Sequence, residues 1–236
     1  MLGLKRWIRS AGAQKRVASW MPLSPTDHAF ANGPVFQRPA SAEDAVRMLQ
    51  GDEAAAEMLV AVFAQFDEKA NLASGVRLGL GARLINLNAR EQVTIGANSV
   101  IRGVLRNERA GRLFIGERIY IGDNALVSSA LSIEIGNGTL LAHGAQIFDN
   151  DSHPVDVEQR AAHFRAILGD KSGPAYTIAS APVRIGQMAW IGLNAIVMKG
   201  VSVGDEVIVG AGAVVTRDVA ARTVVGGNPA IVVKQL

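Results

Sequence analysis

The side chains best suited to chemistry in this chain are four histidines, His28, His143, His153 and His163, and the carboxylates around one of them. His153 stands in the segment IFDNDSHPVD at 147–156, with Asp149, Asp151 and Asp156 close by in sequence. A near-neutral imidazole is well matched to proton transfer at pH 7, and a neighbouring carboxylate can hold its tautomer or steady its charged form. In isolation the same residues read equally as a turn, with a loop histidine capping the chain beside Pro154 and the aspartates as turn formers. Ser152 precedes His153, but adjacency in sequence does not create nucleophile–base geometry. The chain has no cysteine, which excludes disulfides, thiolate metal sites, cysteine nucleophiles and thioester-enzyme intermediates.

These residues need a frame, and the frame is a period of six. From Ile185 the chain reads IGQMAW, IGLNAI, VMKGVS, VGDEVI, VGAGAV and VTRDVA without a break. The first position is always Ile or Val, and the fifth is Ala or Val (Ala189, Ala195, Val201, Val207, Ala213, Val219). Upstream the register recurs with interruptions, as IGANSV from Ile95, IGERIY from Ile115, IGDNAL from Ile121, IGNGTL from Ile135 and LAHGAQ from Leu141. The stretch VLRNERAGRL reads as an insertion ahead of the Ile115 window, and the frame slips between Val127 and Ile135, around Leu131 to Glu134. An inward Ile or Val, a corner and a small residue before the next strand suit short strands joined by tight bends. Glycine at the second position of most windows, Gly96, Gly116, Gly186 and Gly192 among them, relieves crowding there. Such a unit cannot bury its face alone, so coils must stack. The expectation is an all-β main domain over residues 71–236.

The repeat is silent from about Asn150 to Pro182 and resumes in frame at Ile185. A loop of about thirty residues inside a regular array is usually kept for function. Arg160, His163, Arg165 and Lys171 give it a basic character suited to an acidic or phosphate-bearing ligand, or simply to solvent.

Residues 1–70 lack the period and form a helical N-terminal region. Ser41 is a suitable N-cap, Gly51 separates two helices, and Leu59, Val62, Phe63 and Phe66 lie on one apolar face. A Pro-, Asn- and Gly-rich segment, MPLSPTDHAFANGPVFQRP, precedes them as an extended connector. Leu4, Trp7, Ile8 and Ala11 share a helical face flanked by Lys5, Arg6, Arg9, Lys15 and Arg16. A helix of that kind can rest on an anionic lipid surface, or pack on its own domain or a neighbouring subunit.

Bulk composition agrees with this picture. Hydrophobic residues reach 49% with aromatics at only 5%, so core volume comes from Val, Ile, Leu and Ala, with 25 glycines as punctuation. The net charge of +3 includes no basic tract of nucleic-acid-binding type, so no nucleic-acid partner is expected. No apolar run reaches the roughly 18 residues of a spanning helix, and the basic start lacks a signal-peptide core. A cytoplasmic location is the expectation.

Three segments, with the period, carry a family resemblance: IFDNDSHPVD at 147–156, APVRIGQMAWIG at 181–192 and VVGGNPAIVVK at 224–234. Over roughly residues 76–236 the chain resembles the hexapeptide-repeat acyltransferases of the maltose, galactoside and xenobiotic acetyltransferase type, especially the branch of bacterial surface-polysaccharide synthesis. The resemblance implies a left-handed parallel β-helix that uses acetyl-CoA as acyl donor, needs no metal, and acetylates a sugar or nucleotide-sugar acceptor. It implies that His153 is the general base; among the nearby carboxylates Asp151 is favoured to support it, and direct transfer without an acyl-enzyme is the reading of the segment. The resemblance places Trp190, Gly192, the backbone N–H of Leu193, Gly210, Ala211, Thr216, Arg217 and Lys234 along the coenzyme. Leu193 departs from the small polar residue found there in some sugar acetyltransferases, which puts a side-chain role in doubt but not the backbone one. It also implies a homotrimer, because in this fold the coenzyme groove lies between chains, and a long loop reaching over the neighbouring subunit.

Other function classes have their own signatures. A γ-carbonic-anhydrase-like metalloenzyme needs three histidines converging on zinc, and the four here include no closely spaced pair; His143, third in its window, reads as a corner residue. A non-catalytic β-helix scaffold would not need His153 or Trp190. Amino-sugar N-acetylation differs from O-acetylation too little for residue types to separate the two.

Overall fold

Successive six-residue units form the three walls of a parallel β-helix with left-handed coils. The computed structural model describes residues 34–170 and 172–236, so the amphipathic segment around Trp7, His28, most of the connector and Lys171 lie outside the described residues. The first wall stacks Arg77–Gly79, Val100–Ile101, Tyr120–Ile121, Leu140–Leu141, Trp190–Ile191, Ile208–Val209 and Thr223–Gly226. The second stacks Arg83–Asn86, Val104–Asn107, Leu126–Ser129, Gln146–Phe148, Ile196–Val197 and Val214–Val215. The third stacks Asn71–Leu72, Val93–Ile95, Leu113–Ile115, Ile133–Ile135, Val183–Ile185 and Ser202–Val203. A final strand, Ile231–Gln235, folds back antiparallel on Thr223–Gly226.

Register explains the period. Ile121 pairs with Leu141, Leu141 with Ile191 and Ile191 with Val209, so the first residue of each window makes one continuous inward column on each wall. All four are buried, and burying each side chain contributes on the order of 2 kcal/mol. The small fifth residues, such as Ala189, Ala195 and Ala213, are buried beside them. At the second position a Cβ on Gly96 would lie 2.5 Å from the Gly116 backbone, and one on Gly192 would lie 2.6 Å from Val209 O. The next coil therefore excludes any side chain there. The fourth position turns the chain in the left-handed region, at Asn98, Asn124, Gly144 and Asn194 among others.

Two interruptions prove to be corners. VLRNERAGRL is not an insertion outside the helix: Val104–Asn107 is a second-wall strand, Leu105 and Leu113 fill the core, and only the corner between them is enlarged. The slip around Leu131 is another wide corner between second and third walls.

Ahead of the coils, helix α1 (Ala42–Met48) starts at Ser41, whose side chain accepts from Asp44 N. Helix α2 (Glu53–Lys69) starts at Asp52 and buries Leu59, Val62, Phe63 and Phe66. Gln65 Oε1 accepts from Leu84 N, and Asn86 Nδ2 donates to Lys69 O, which ties α2 to the first coil. Residues 36–236 make one compact unit.

The long excursion leaves the second wall after Phe148 and rejoins the third at Val183. Its stem is paired: Asp151 N donates to Ala179 O at 3.0 Å and Ala181 N to Asp149 O at 2.8 Å. The repeat gap read as loop contains helix α3 (Val157–Ile167), capped by Asp156, which accepts from Gln159 N. Aspartate followed three residues later by glutamine is a capping-box pattern that marks this start.

Asp149, fully buried at the stem, holds the wide corner of the preceding coil. Its carboxylate accepts from Ser129 Oγ, Ala130 N, Leu131 N, Ser132 N and Asn150 Nδ2. Asp149→Asn turns an amide NH2 toward those donors and is expected to destabilise the chain by about 2–4 kcal/mol in urea unfolding. An unchanged midpoint would contradict this role.

Candidate active site

His153 is presented on a turn fixed from two sides. Its N–H donates to Asp151 O at 2.6 Å, and Ser152, in the left-handed region, donates its N–H to Asn150 Oδ1. From α3, Arg160 donates to Pro154 O and, at 2.6 Å, to Val155 O. Arg160 thus shapes the histidine turn rather than standing free for an anionic ligand. The imidazole is exposed, with Nδ1 3.2 Å from Nδ1 of His163. The His163 ring in turn lies against Tyr176, with centroids 4.5 Å apart. Desolvation, followed by the nearby His153 and Arg109 charges, holds His163 below the usual histidine pKa and disfavours its charged form.

None of the three nearby carboxylates meets this imidazole. Asp149 holds the corner and Asp156 caps α3. Asp151, the expected supporter, forms an ion pair with Lys199 Nζ at 2.8 Å, and it is the Asp151 carbonyl that meets the His153 backbone. Lys199 lies at the corner after Ile196–Val197, where sequence alone gave no reason to single it out. In the sequence His163 stands out only as part of the loop's basic character. The helix start at Asp156, which places it on α3, was the available signal.

Of the residues expected along the coenzyme, Thr216 and Arg217 share the edge of His153, and the others lie elsewhere on the stack. Trp190 projects from the first wall, 50% exposed, between Leu140 and Ile208. Gly192 and Leu193, with Gly210 and Ala211 one coil on, form the following corner between first and second walls. Thr216 and Arg217 are exposed at the second-to-third corner, and Lys234 is exposed on the last strand opposite Val224. Trp190, Gly192, Leu193, Gly210 and Ala211 are therefore neighbours in consecutive coils, whereas His153 springs from a different edge.

Third-position backbone donors at these corners are of two kinds. The third N–H of a window commonly donates to the third side chain of the next coil: Glu117 to Asn137 Oδ1, Asp123 to His143 Nδ1 and Gln187 to Asp205 Oδ1, all between 2.8 and 2.9 Å. His143 is thereby a corner residue. Opposite Leu193 the next coil offers Ala211, whose methyl accepts nothing, and among the described residues the Leu193 N–H, like those of Ala97, Asn137, Asp205 and Ala211, has no acceptor. Also among these residues, no His, Asp or Glu group is placed to hold a metal, and no helix is long and apolar enough to cross a membrane.

Comparison with known proteins agrees on family and fold. The family model described as "Hexapeptide repeat of succinyl-transferase" matches residues 182–217. Nodulation protein L of Rhizobium meliloti is 38% identical over 154 residues, 65% of this chain and 76% of that protein. Galactoside O-acetyltransferase of Escherichia coli K12 is 28% identical over 143 residues, 61% of this chain; the match spans only 64% of that protein's length. In fold, the chain is similar to a hexapeptide-repeat acetyltransferase from Vibrio cholerae complexed with acetyl coenzyme A, with a TM-score of 0.51 and 21% identity over 85% of this chain and 93% of that one.

Proposed function

The chain belongs to the hexapeptide-repeat acyltransferase family, and from that premise we propose that it transfers an acetyl group from acetyl-CoA to a sugar hydroxyl. The observation that carries the reading is the pinned excursion, which interrupts an otherwise regular stack to hold the His153 imidazole outside it. The acceptor is taken to be a sugar or nucleotide sugar of surface-polysaccharide synthesis, the class the family resemblance implies.

The thioester supplies an activated carbonyl carbon. His153 Nε2 removes the proton of the acceptor hydroxyl as its oxygen bonds to that carbon and the C–S bond breaks. The imidazolium then returns the proton to the departing thiolate. The Leu193 N–H, kept without an acceptor by Ala211, is suited to receive the negative charge that builds on the carbonyl oxygen. The small Gly210 and Ala211 leave room for the pantetheine arm beside Trp190. Because His153 and this corner lie on different edges of one stack, a complete site needs a second copy of the chain. That favours a closed ring, here a homotrimer with three equivalent sites.

Thiol release from acetyl-CoA with a panel of sugar acceptors tests the reading. His153→Ala is expected to lower kcat about 100-fold or more, and turnover that survives it would sink the mechanism. Ala211→Asn supplies the acceptor that Asn137 gives Glu117. It is expected to reduce kcat/KM about 100-fold with unchanged thermal stability; an unaffected rate would show that the Leu193 N–H plays no part.

A further inference from the structure

The partner of the His153 imidazole is a second imidazole, and we propose that His163 is a positioning residue that fixes His153 as its Nδ1–H tautomer. The inference rests on the reading of His153 as general base and adds how its lone pair is placed. An Nδ1···Nδ1 contact of 3.2 Å is a hydrogen bond with one donor and one acceptor. If His163 donated, neutral His153 would carry its own proton on Nε2, and the outward nitrogen would have no lone pair. If His153 donates, Nε2 is free to take the acceptor proton.

Proton uptake favours the second arrangement. A protonated His153 carries hydrogen on both nitrogens, so only a bond in which His163 accepts survives the step, and it strengthens as the charge forms. His163 must remain neutral to accept. The groups facing it are His153 from the excursion turn, Tyr176 from the returning segment of the loop and Arg109 from the wide corner of an earlier coil. Two of these are or become cationic, and none is a carboxylate that would draw a proton onto the ring. A neutral acceptor also stabilises the imidazolium less than a carboxylate would, leaving it acidic enough to protonate the thiolate.

Two substitutions separate positioning from packing. His163→Gln keeps an acceptor oxygen and loses the ring; His163→Phe keeps a ring against Tyr176 and loses the acceptor. Positioning predicts kcat within about 3-fold of wild type for H163Q and a fall of roughly 10- to 100-fold for H163F, with KM for acetyl-CoA unchanged in both. A packing role predicts the reverse order, and that result would overturn the proposal. Nitrogen-15 NMR of the His153 ring gives a readout independent of turnover: Nδ1–H in the wild type, moving toward the Nε2–H form in H163F. A wild-type His153 protonated on Nε2, or a tautomer indifferent to H163F, would also overturn it. Absence of thiol release by the wild type would count against the acyltransfer reading alone, and the tautomer measurement would still decide the role of His163.

Discussion

Everything in this molecule follows from one constraint: each inward side chain must sit directly on its equivalent in the coils above and below. Ile121, Leu141, Ile191 and Val209 meet that condition on the first wall, and Leu105, Val127, Ile147 and Val197 on the second. A residue inserted within a wall would shift every later side chain between inside and outside. Extra chain is therefore admitted only at corners. In a fold built this way the walls carry stability, and variation, including functional variation, is confined to the edges.

The edge between second and third walls is where that freedom is used. In four successive coils it widens, at Leu87–Gln92, at Glu108–Arg112, at Ala130–Ser132 and finally at the excursion. Buried polar residues mark its lining: Asn86 and Asn107 are paired side by side, Ser129 follows in register, and Ser129 donates to Asp149. An apolar core cannot satisfy the backbone groups of a widened corner, so side chains must. Asp149 serves three consecutive N–H groups of the corner beneath it while its own backbone roots the excursion stem. The histidine turn thus inherits its rigidity from a carboxylate that never touches the imidazole.

Much of this is legible in the sequence. The inward column, the small fifth residues, the glycine corners and the helical face of Leu59, Val62, Phe63 and Phe66 are periodic, and periodicity is visible in one dimension. Pairings made by widened corners are not. Lys199 meets Asp151 only because the excursion stem returns beneath it, and His163 meets His153 only because α3 folds back on the turn. The N-cap pattern of Asp156 and Gln159 is readable in principle, but the broken repeat draws attention away from a helix inside the gap. VLRNERAGRL looks like an insertion because its charged corner residues disguise a second-wall strand whose inward Leu105 keeps the column.

A single stack holds His153 and the Leu193 corner on separate edges, so the proposed mechanism requires them to meet between copies of the chain. A crystal structure of the chain with coenzyme A bound measures that directly. The prediction is a coenzyme sulfur lying between His153 Nε2 of one copy and the Leu193 N–H of its neighbour. A coenzyme held within one chain, or a sulfur far from every His153, would contradict it.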